Sequence, residues 1–215
     1  LPFAGAMRAV RLRGQAMQEA VPVGEGGMIA VLGLDDADVV KMCGWSERES
    51  GLKPLEPANF NAPGQVVVSG SQQLCEWLQA NFDSEKIFGE KKRAKLIPLK
   101  VSAPFHCSLM KPAQDKMEPV LKDLRFATPK WSVIQNVTGA EERDPEGLRR
   151  NLTAQISAPV KWVQSVTKMR NMGAAKFVEI GPGKVLSGLV KKIDSAAATF
   201  NIQSLEELTA FEKES

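Results

Sequence analysis

Histidine is nearly missing from the sequence, because the 215 residues contain only one, His106. Cysteine is also sparse: the three copies are widely spaced and odd in number, so they fit no complete disulfide framework. One histidine and three such cysteines make a zinc site hard to build. We therefore expect no metal site, and we interpret the cysteines as reduced thiols of a cytoplasmic protein.

Long apolar runs and tyrosine are missing as well. No apolar run approaches the roughly 20 residues that span a membrane, so we expect no membrane association. The sequence has no tyrosine, and no aromatic residues alternate with its basic residues. A surface that stacks nucleobases needs such aromatic residues, so we expect no binding to nucleic acid.

The composition that is present is ordinary for a globular protein, with 43% hydrophobic and 25% charged residues. The net charge is +3, and basic residues gather in the segment EKIFGEKKRAK at 85–95 and at Lys191 and Lys192. Such runs are usually solvated faces. A docking patch for an acidic partner is the alternative, and composition leaves both open.

The first predicted element is a helix over residues 3–21, because apolar residues recur there every three or four positions. This apolar face consists of Phe3, Met7, Val10, Gly14, Met17 and Val21. Arg13 lies on the flank of the face, where a charge must find a partner or a cavity. Its guanidinium either reaches past the apolar surface into water or clamps an anion.

Residues 24–99 show a pattern of their own after the segment GEGG at 24–27, which we expect to be a hinge or turn. Strands are predicted at 28–34, 55–60, 65–70 and 94–101, and helices at 35–45 and 71–82. The order β-α-β-β-α-β is the split βαβ, ferredoxin-like arrangement. The sequence therefore predicts a small inserted domain.

The rest of the chain predicts a layered α/β domain, because helices and strands alternate. Helices are expected at 108–124, 144–156, 160–173 and from 185, and strands at 131–137 and 176–180. The segment EIGPGK at 179–184 leads from a strand into a helix. It either exposes amides that bind an anion or forms a tight turn that needs glycine.

His106 lies in VSAPFHCSLM at a strand-to-helix corner, where side chains are exposed at the carboxyl edge of a sheet. It is either a catalytic base or a packed structural histidine. The sequence holds no G-x-S-x-G motif to supply a serine nucleophile. Cys107 is adjacent, but neighbours at the start of a helix point in different directions, which argues against a thiol hydrolase. Asn59 and Asn61 either satisfy a turn or line a cleft.

Taken together, these segments resemble the bacterial malonyl-CoA:acyl carrier protein transacylases. The matching stretches are RGQAMQEAVP (13–22), GGMIAVLGL (26–34), NFNAPGQVVVSG (59–70), IPLKVSAPFHCSLMKPA (97–113), APVKW (158–162) and EIGPGKVLSGLVKKI (179–193). The resemblance implies an α/β-hydrolase-like acyltransferase domain with an inserted ferredoxin-like (βαββαβ) subdomain. Residues 1–23 and 100–215 would belong to the large part, and residues 24–99 to the small one.

The resemblance also implies an activity, namely transfer of malonyl from malonyl-CoA to the phosphopantetheine thiol of acyl carrier protein in fatty acid biosynthesis. In the ping-pong mechanism of the family, His106 would be the base and the main-chain carbonyl of Gln155 would orient it. Arg13 would hold the malonyl carboxylate, and Phe105 would select the acyl group. We expect an acidic carrier protein as partner, no tightly bound cofactor, and a monomer.

One part of the family pattern is not in the sequence. Members carry F-P-G-Q-G-S and G-H-S-x-G-E motifs, the second with the nucleophilic serine, and neither occurs here. We therefore expect that the chain starts just downstream of the serine elbow, and that alone it is inactive and exposes apolar surface. The alternative is a non-catalytic fragment or paralogue that binds carrier protein.

Overall fold

Helices and strands alternate along the chain in the computed structural model, which describes residues 1–214. The helices are α1 Phe3–Glu19, α2 Asp36–Ser50, α3 Gln72–Asn81, α4 Ser84–Phe88, α5 Lys111–Lys122, α6 Pro145–Ala154, α7 Trp162–Asn171, α8 Val185–Ile193 and α9 Leu205–Glu214. The strands are β1 Gly26–Leu32, β2 Leu55–Ala62, β3 Gln65–Ser71, β4 Lys95–Pro98, β5 Val133–Gln135, β6 Ala140–Glu142, β7 Lys176–Ile180 and β8 Ala198–Ile202. The protein is thus of mixed α/β class. Across residues 1–214, none of the helices combines the length and the hydrophobicity that crossing a bilayer requires.

The first sheet has the strand order β2-β3-β1-β4, and every neighbouring pair in it is antiparallel. Helices α2 and α3 cover one face. The core between them and the sheet contains Ile29, Val31, Val66, Val68, Leu74 and Leu78. Because side chains alternate across a strand, Met28 and Val67 lie on the opposite face. There they pack with Ala58 and Phe105, which joins the sheet to the rest of the chain.

The second body of the fold is built around α1 and α5, which pack side by side. Their shared core contains Ala16, Met17, Val21, Ala103, Met110, Ala113, Met117, Leu121 and Ile156. The strands β7 and β8 form a parallel pair, and β5 and β6 form an antiparallel pair. A third apolar cluster of Val166, Val190 and Ala197 lies between α7, α8 and the parallel pair.

The structure corrects several details of the sequence interpretation. The apolar face predicted for the first helix is wrong over its first half, because Phe3, Met7 and Val10 are 80%, 55% and 67% exposed, respectively. Two small residues, Gly5 and Ala9, are buried there instead. The lack of a side chain on Gly5 lets Leu124, just after α5, approach closely, since a Cβ on this glycine would lie 3.3 Å from it.

The segment GEGG is only partly a turn. Gly24 turns the chain with a φ of 89°, whereas Gly26 and Gly27 already belong to β1. A Cβ on Gly26 would lie 2.3 Å from the ring of Pro104, so this glycine allows the corner before His106 to rest against the sheet. The pattern also missed β6, β8, α4 and α9, and the helix predicted at 108–124 begins as a short 3-10 turn, Ser108–Met110.

Candidate active site

His106 occupies the corner between β4 and α5 in an unusual backbone conformation, with a φ of 60°. A residue with a Cβ seldom adopts positive φ, and such conformations persist only where the surroundings enforce them. Here the amide of Phe105 donates to the carbonyl of Ala103 at 3.1 Å. On the other side of the histidine, the thiol of Cys107 donates to the carbonyl of Pro104 at 3.2 Å.

The imidazole of His106 is held by one main-chain carbonyl. Its Nδ1 lies 3.0 Å from the carbonyl oxygen of Gln155, which caps the C-terminus of α6. A carbonyl only accepts, so Nδ1 donates and Nε2 keeps its lone pair free to accept a proton. The side chain of Gln155 in turn donates to the carbonyl of Ala158 at 3.0 Å, which fixes the turn that presents the oxygen.

The electrostatic surroundings favour the neutral form of this imidazole. Burial lowers the pKa of His106 most, and the positive charge of Arg13 lowers it further, while the hydrogen bond with Gln155 acts in the opposite direction. A histidine that stays neutral at neutral pH can accept a proton, which is what a general base requires.

Arg13 lies on α1 and shares a cavity of about 550 Å³ with His106. The cavity is also lined by Gly14, Met17, Met28, Asn59, Asn61, Val67, Leu99, Val101 and Phe105. Burial lowers the pKa of Arg13. Within residues 1–214 its guanidinium makes no ion pair and no hydrogen bond. A half-buried, unpaired cation at the wall of a cavity favours an anionic ligand over simple exposure to water.

The other predicted site residues meet at the same place. Phe105 packs against both the Met28 cluster and the core between α1 and α5, so its ring stands where the two bodies of the fold join. Asn59 and Asn61 line the cavity from β2. Gln155 does not line it but supports His106 from behind. The structure therefore brings five of the six predicted residues together around one cavity and places the sixth, Gln155, directly behind His106.

Sequence reasoning missed several apolar residues of the cavity wall. Met28 and Val67 are two of them, and the signal that could have identified them is the alternation of side chains along β1 and β3. Their neighbours Ile29 and Val66 fill the core under α2 and α3. The residues between must therefore face the other side of the sheet, toward the histidine corner.

Two alternatives lose support from the geometry. The side chain of Cys107 is fully buried, and burial raises the pKa of its thiol, so the reactive thiolate is disfavoured. In EIGPGK, the Glu179 carboxylate accepts hydrogen bonds from the amides of Leu186 at 3.1 Å and Ser187 at 2.8 Å. The start of α8 is therefore capped by the chain itself, and Gly181 and Gly183, with φ of 129° and 95°, fit the tight turn.

In the basic segment at 85–95, one lysine is engaged in contacts within the protein and several basic residues are exposed. The Nζ of Lys92 lies 2.6 Å from a carboxylate oxygen of Asp38 and 5.0 Å from the centre of the Phe88 ring. Lys91, Arg93 and Lys95 are exposed. In the described part of the chain, no three His, Cys, Asp or Glu side chains lie close enough together to hold a metal ion.

A second, apolar cavity of about 360 Å³ adjoins the site, because Arg13 lines both cavities. Arg13 and Gln155 line it together with Leu1, Ala6, Ala9, Val10, Met117, Leu121, Asn136, Leu152 and Ile156. The Oε1 of the lining residue Gln155 is buried without a hydrogen-bond partner among residues 1–214. Three apolar residues of the lining, Leu1, Val10 and Leu152, are also exposed to solvent.

Similar curated proteins and similar solved structures agree with each other, whereas family models give no match. A scan against models of protein families finds no match. The chain is 44% identical over 191 residues to the malonyl CoA-acyl carrier protein transacylase of Salmonella typhimurium, covering 89% of this chain and 59% of the relative. A transacylase of the same name from Clostridium perfringens superimposes with a TM-score of 0.88 at 34% identity, covering 100% of this chain and 65% of that one.

A third match is a type II PKS acyl-carrier protein in complex with its malonyl-transacylase, with 36% identity, a TM-score of 0.87, and coverage of 99% of this chain and 66% of the other. The chain thus spans about three fifths to two thirds of the length of the proteins it matches. By sequence and by fold, this chain is similar to malonyl CoA-acyl carrier protein transacylases along nearly its whole length.

Proposed function

We propose that these residues form the histidine-bearing part of an acyltransferase that moves malonyl from malonyl-CoA to the phosphopantetheine thiol of acyl carrier protein, in fatty acid biosynthesis. The observation that carries the proposal is one cavity with a base and a cation on its walls. His106 Nδ1 is held by the carbonyl of Gln155, and the unpaired guanidinium of Arg13 lines the same space.

The chemistry of His106 follows from its free Nε2. A serine oxygen attacks the malonyl thioester carbonyl while its proton moves to Nε2, and the departing CoA sulfur then takes that proton. In the second half, Nε2 accepts the proton of the phosphopantetheine thiol, whose sulfur attacks the acyl-serine ester, and the serine oxygen recovers the proton as it leaves. The sequence has no G-H-S-x-G motif, so we propose that the serine comes from residues outside these 215.

The selectivity of the reaction is assigned to Arg13 and Phe105. A guanidinium pairs through two hydrogen bonds with a free carboxylate, which malonyl carries and acetyl does not. An acetyl group would leave the half-buried cation without a partner, and this disfavours it. The ring of Phe105, packed at the junction of two clusters, leaves little room for the extra methyl of a methylmalonyl group. Asn59 and Asn61 complete the wall on the β2 side.

The domain assignment is part of the proposal. Residues 24–99 are taken as a ferredoxin-like subdomain, and residues 1–23 and 100–215 as part of an α/β-hydrolase-like acyltransferase domain. The antiparallel strand order β2-β3-β1-β4, with α2 and α3 on one face, supports the first assignment. The parallel pair of β7 and β8, with α8 packed beside it, supports the second.

The partner is proposed to be an acidic carrier protein that is steered by basic residues. Lys91, Arg93 and Lys95 are exposed and suit this role, whereas Lys92 already pairs with Asp38. A cytoplasmic location, a monomeric state and the lack of a tightly bound cofactor stay predictions from the sequence and the resemblance.

The test is malonyl transfer from malonyl-CoA to phosphopantetheinylated carrier protein by the full-length gene product that contains these residues. His106→Gln is expected to lower kcat/KM about 10²- to 10⁴-fold, because the base is lost. Cys107→Ala, at the next position, is the matched control: it removes the hydrogen bond to Pro104 but leaves the base, so it is expected to lose much less activity than His106→Gln. Carrier protein bound without any transfer would instead support a non-catalytic binding protein, and transfer that survives in His106→Gln would remove the base from its role.

A further inference from the structure

A carboxylate on the first sheet reaches the corner that carries His106. Glu56, on β2, accepts a hydrogen bond at 2.8 Å from the amide of Ser108. Ser108 begins the 3-10 turn two positions after the histidine. The preceding residue, Cys107, provides no side-chain cap for this turn. A glutamate 52 positions earlier in the chain therefore does the capping, from the other body of the fold.

The same strand also contacts the segment that supports the imidazole. The amide of Val160 donates to the carbonyl of Ala58 at 2.8 Å, and the amide of Phe60 donates to the carbonyl of Val160 at 2.9 Å. Val160 lies shortly after Gln155, whose carbonyl accepts from the ring of His106. Strand β2 thus holds the backbone beside the histidine at one point and the segment behind its ring at another.

The backbone of His106 needs such support, because its φ of 60° is unfavourable for a residue with a Cβ. On the preceding side, the side chain of Gln18 donates to the carbonyl of Ser102 at 3.2 Å. On the following side, the support from outside the corner is Glu56. A hydrogen bond to a carboxylate is stronger than one between neutral groups, and a negative charge at the start of a helix is favourable.

We propose that Glu56 is a positioning residue for the base, which holds the backbone after His106 so that Nε2 faces the cavity. The role rests on the proposed function, since it concerns the base of that reaction. Glu56 does not line the cavity, so it acts through the histidine corner and not on the acyl group.

The chain offers a matched control in a second glutamate, Glu47 on α2, which binds an amide of the same strand β2. The carboxylate of Glu47 accepts a hydrogen bond at 2.9 Å from the amide of Leu55, and Leu55 directly precedes Glu56 in the chain. Both interactions join a glutamate to a main-chain amide, and both tie β2 to another element. Leu55 faces the core under α2, so the loss of its bond leaves the histidine corner in place.

The experiment measures malonyl transfer and thermal unfolding of the full-length gene product. Glu56→Ala is expected to lower kcat about tenfold with little change in KM for malonyl-CoA, because a misplaced base slows the chemical step without changing the pocket. Glu56→Gln keeps an oxygen acceptor and is expected to restore most of kcat. Glu47→Ala is expected to keep kcat with a similar loss of Tm. Unchanged kcat in Glu56→Ala, or an equal loss in Glu47→Ala, would overturn the proposal.

A second variant separates the hydrogen bond from other effects of Glu56. Ser108→Pro removes the donor amide, and proline is tolerated at the first position of a helical turn. The residue before it, Cys107, already has the extended backbone that proline requires, with φ −133° and ψ 176°. Glu56→Ala is expected to add no further loss of kcat in the Ser108→Pro background. A full additional loss there would mean that Glu56 does not act through this amide.

The position of the imidazole can also be read without catalysis. In ¹⁵N-histidine spectra, the signal of His106 is assigned by its disappearance in His106→Gln. Glu56→Ala is expected to shift this signal, and Glu47→Ala to leave it in place. If the wild-type protein transfers no malonyl, the proposed function fails while this readout still decides the positioning role, and an unshifted signal in Glu56→Ala refutes it.

Discussion

Replacing Arg13 by alanine is expected to remove the preference for a malonyl over an acetyl thioester. Two hydrogen bonds between a guanidinium and a carboxylate, at about 1.5–3 kcal/mol each, set an upper range of about 3–6 kcal/mol. Arg13 is only half-buried, so solvent screening favours the lower end, about 3 kcal/mol. At about 1.4 kcal/mol per factor of ten, kcat/KM for malonyl-CoA is expected to fall about a hundredfold.

The assay compares kcat/KM for malonyl-CoA and acetyl-CoA with the same carrier protein. For acetyl-CoA the expected change in Arg13→Ala is small, because acetyl makes no pair with the guanidinium. Arg11, exposed on the same helix, provides the control: Arg11→Ala is expected to keep the wild-type preference. Full selectivity in Arg13→Ala, or an equal loss for both thioesters, would refute the assignment of Arg13 to the carboxylate.

Two other perturbations test the surroundings of the base. His106 has a lowered pKa in the folded state, so protonation favours the unfolded state: the free energy of unfolding is expected to decrease as pH falls below about 6.5 and to level off below the folded pKa. Urea denaturation at several pH values measures this, and a slope that is equally steep in His106→Gln would contradict it. Gly26→Ala is expected to cost about 1–3 kcal/mol, because its Cβ would lie 2.3 Å from Pro104. Gly188→Ala in α8, with nothing within 4 Å, is expected to stabilise the protein slightly, and similar effects of the two substitutions would contradict the close packing at Pro104.

The first sheet could be predicted because its signals are local. Alternating apolar residues, turn glycines and the cap at Ser71, whose side chain accepts from the amide of Leu74, lie close together in sequence. The buried side of α1 could not be predicted in the same way. Both Phe3 and Ala9 lie on apolar faces of that helix, and which of them is covered depends on α5, more than 90 residues later.

The site residues divide along a similar line. The corner around His106 stands out from its own motif, and Arg13 stands out as a charge on the flank of an apolar helix face. Gln155 came only from the resemblance to a family. Glu56 had no sequence signal, because its role depends on an amide in a distant segment. The capping of α8 by Glu179 could not be predicted from the sequence for a related reason: the strand residue reaches the helix start only because the turn between them has a defined shape.

Helix α1 has an uneven distribution of packing along its 17 residues. Ala16 and Met17 are enclosed, whereas Phe3, Met7 and Val10 are open to solvent. A helix resists local opening where its side chains are packed and frays where they are not, so the protection of its amides against hydrogen exchange rises from the first turn to the last. Arg13 lies at the boundary between the two regimes. A partner that covers the open turns would therefore also order the Arg13 guanidinium, and we expect this to strengthen the proposed pairing between Arg13 and a carboxylate.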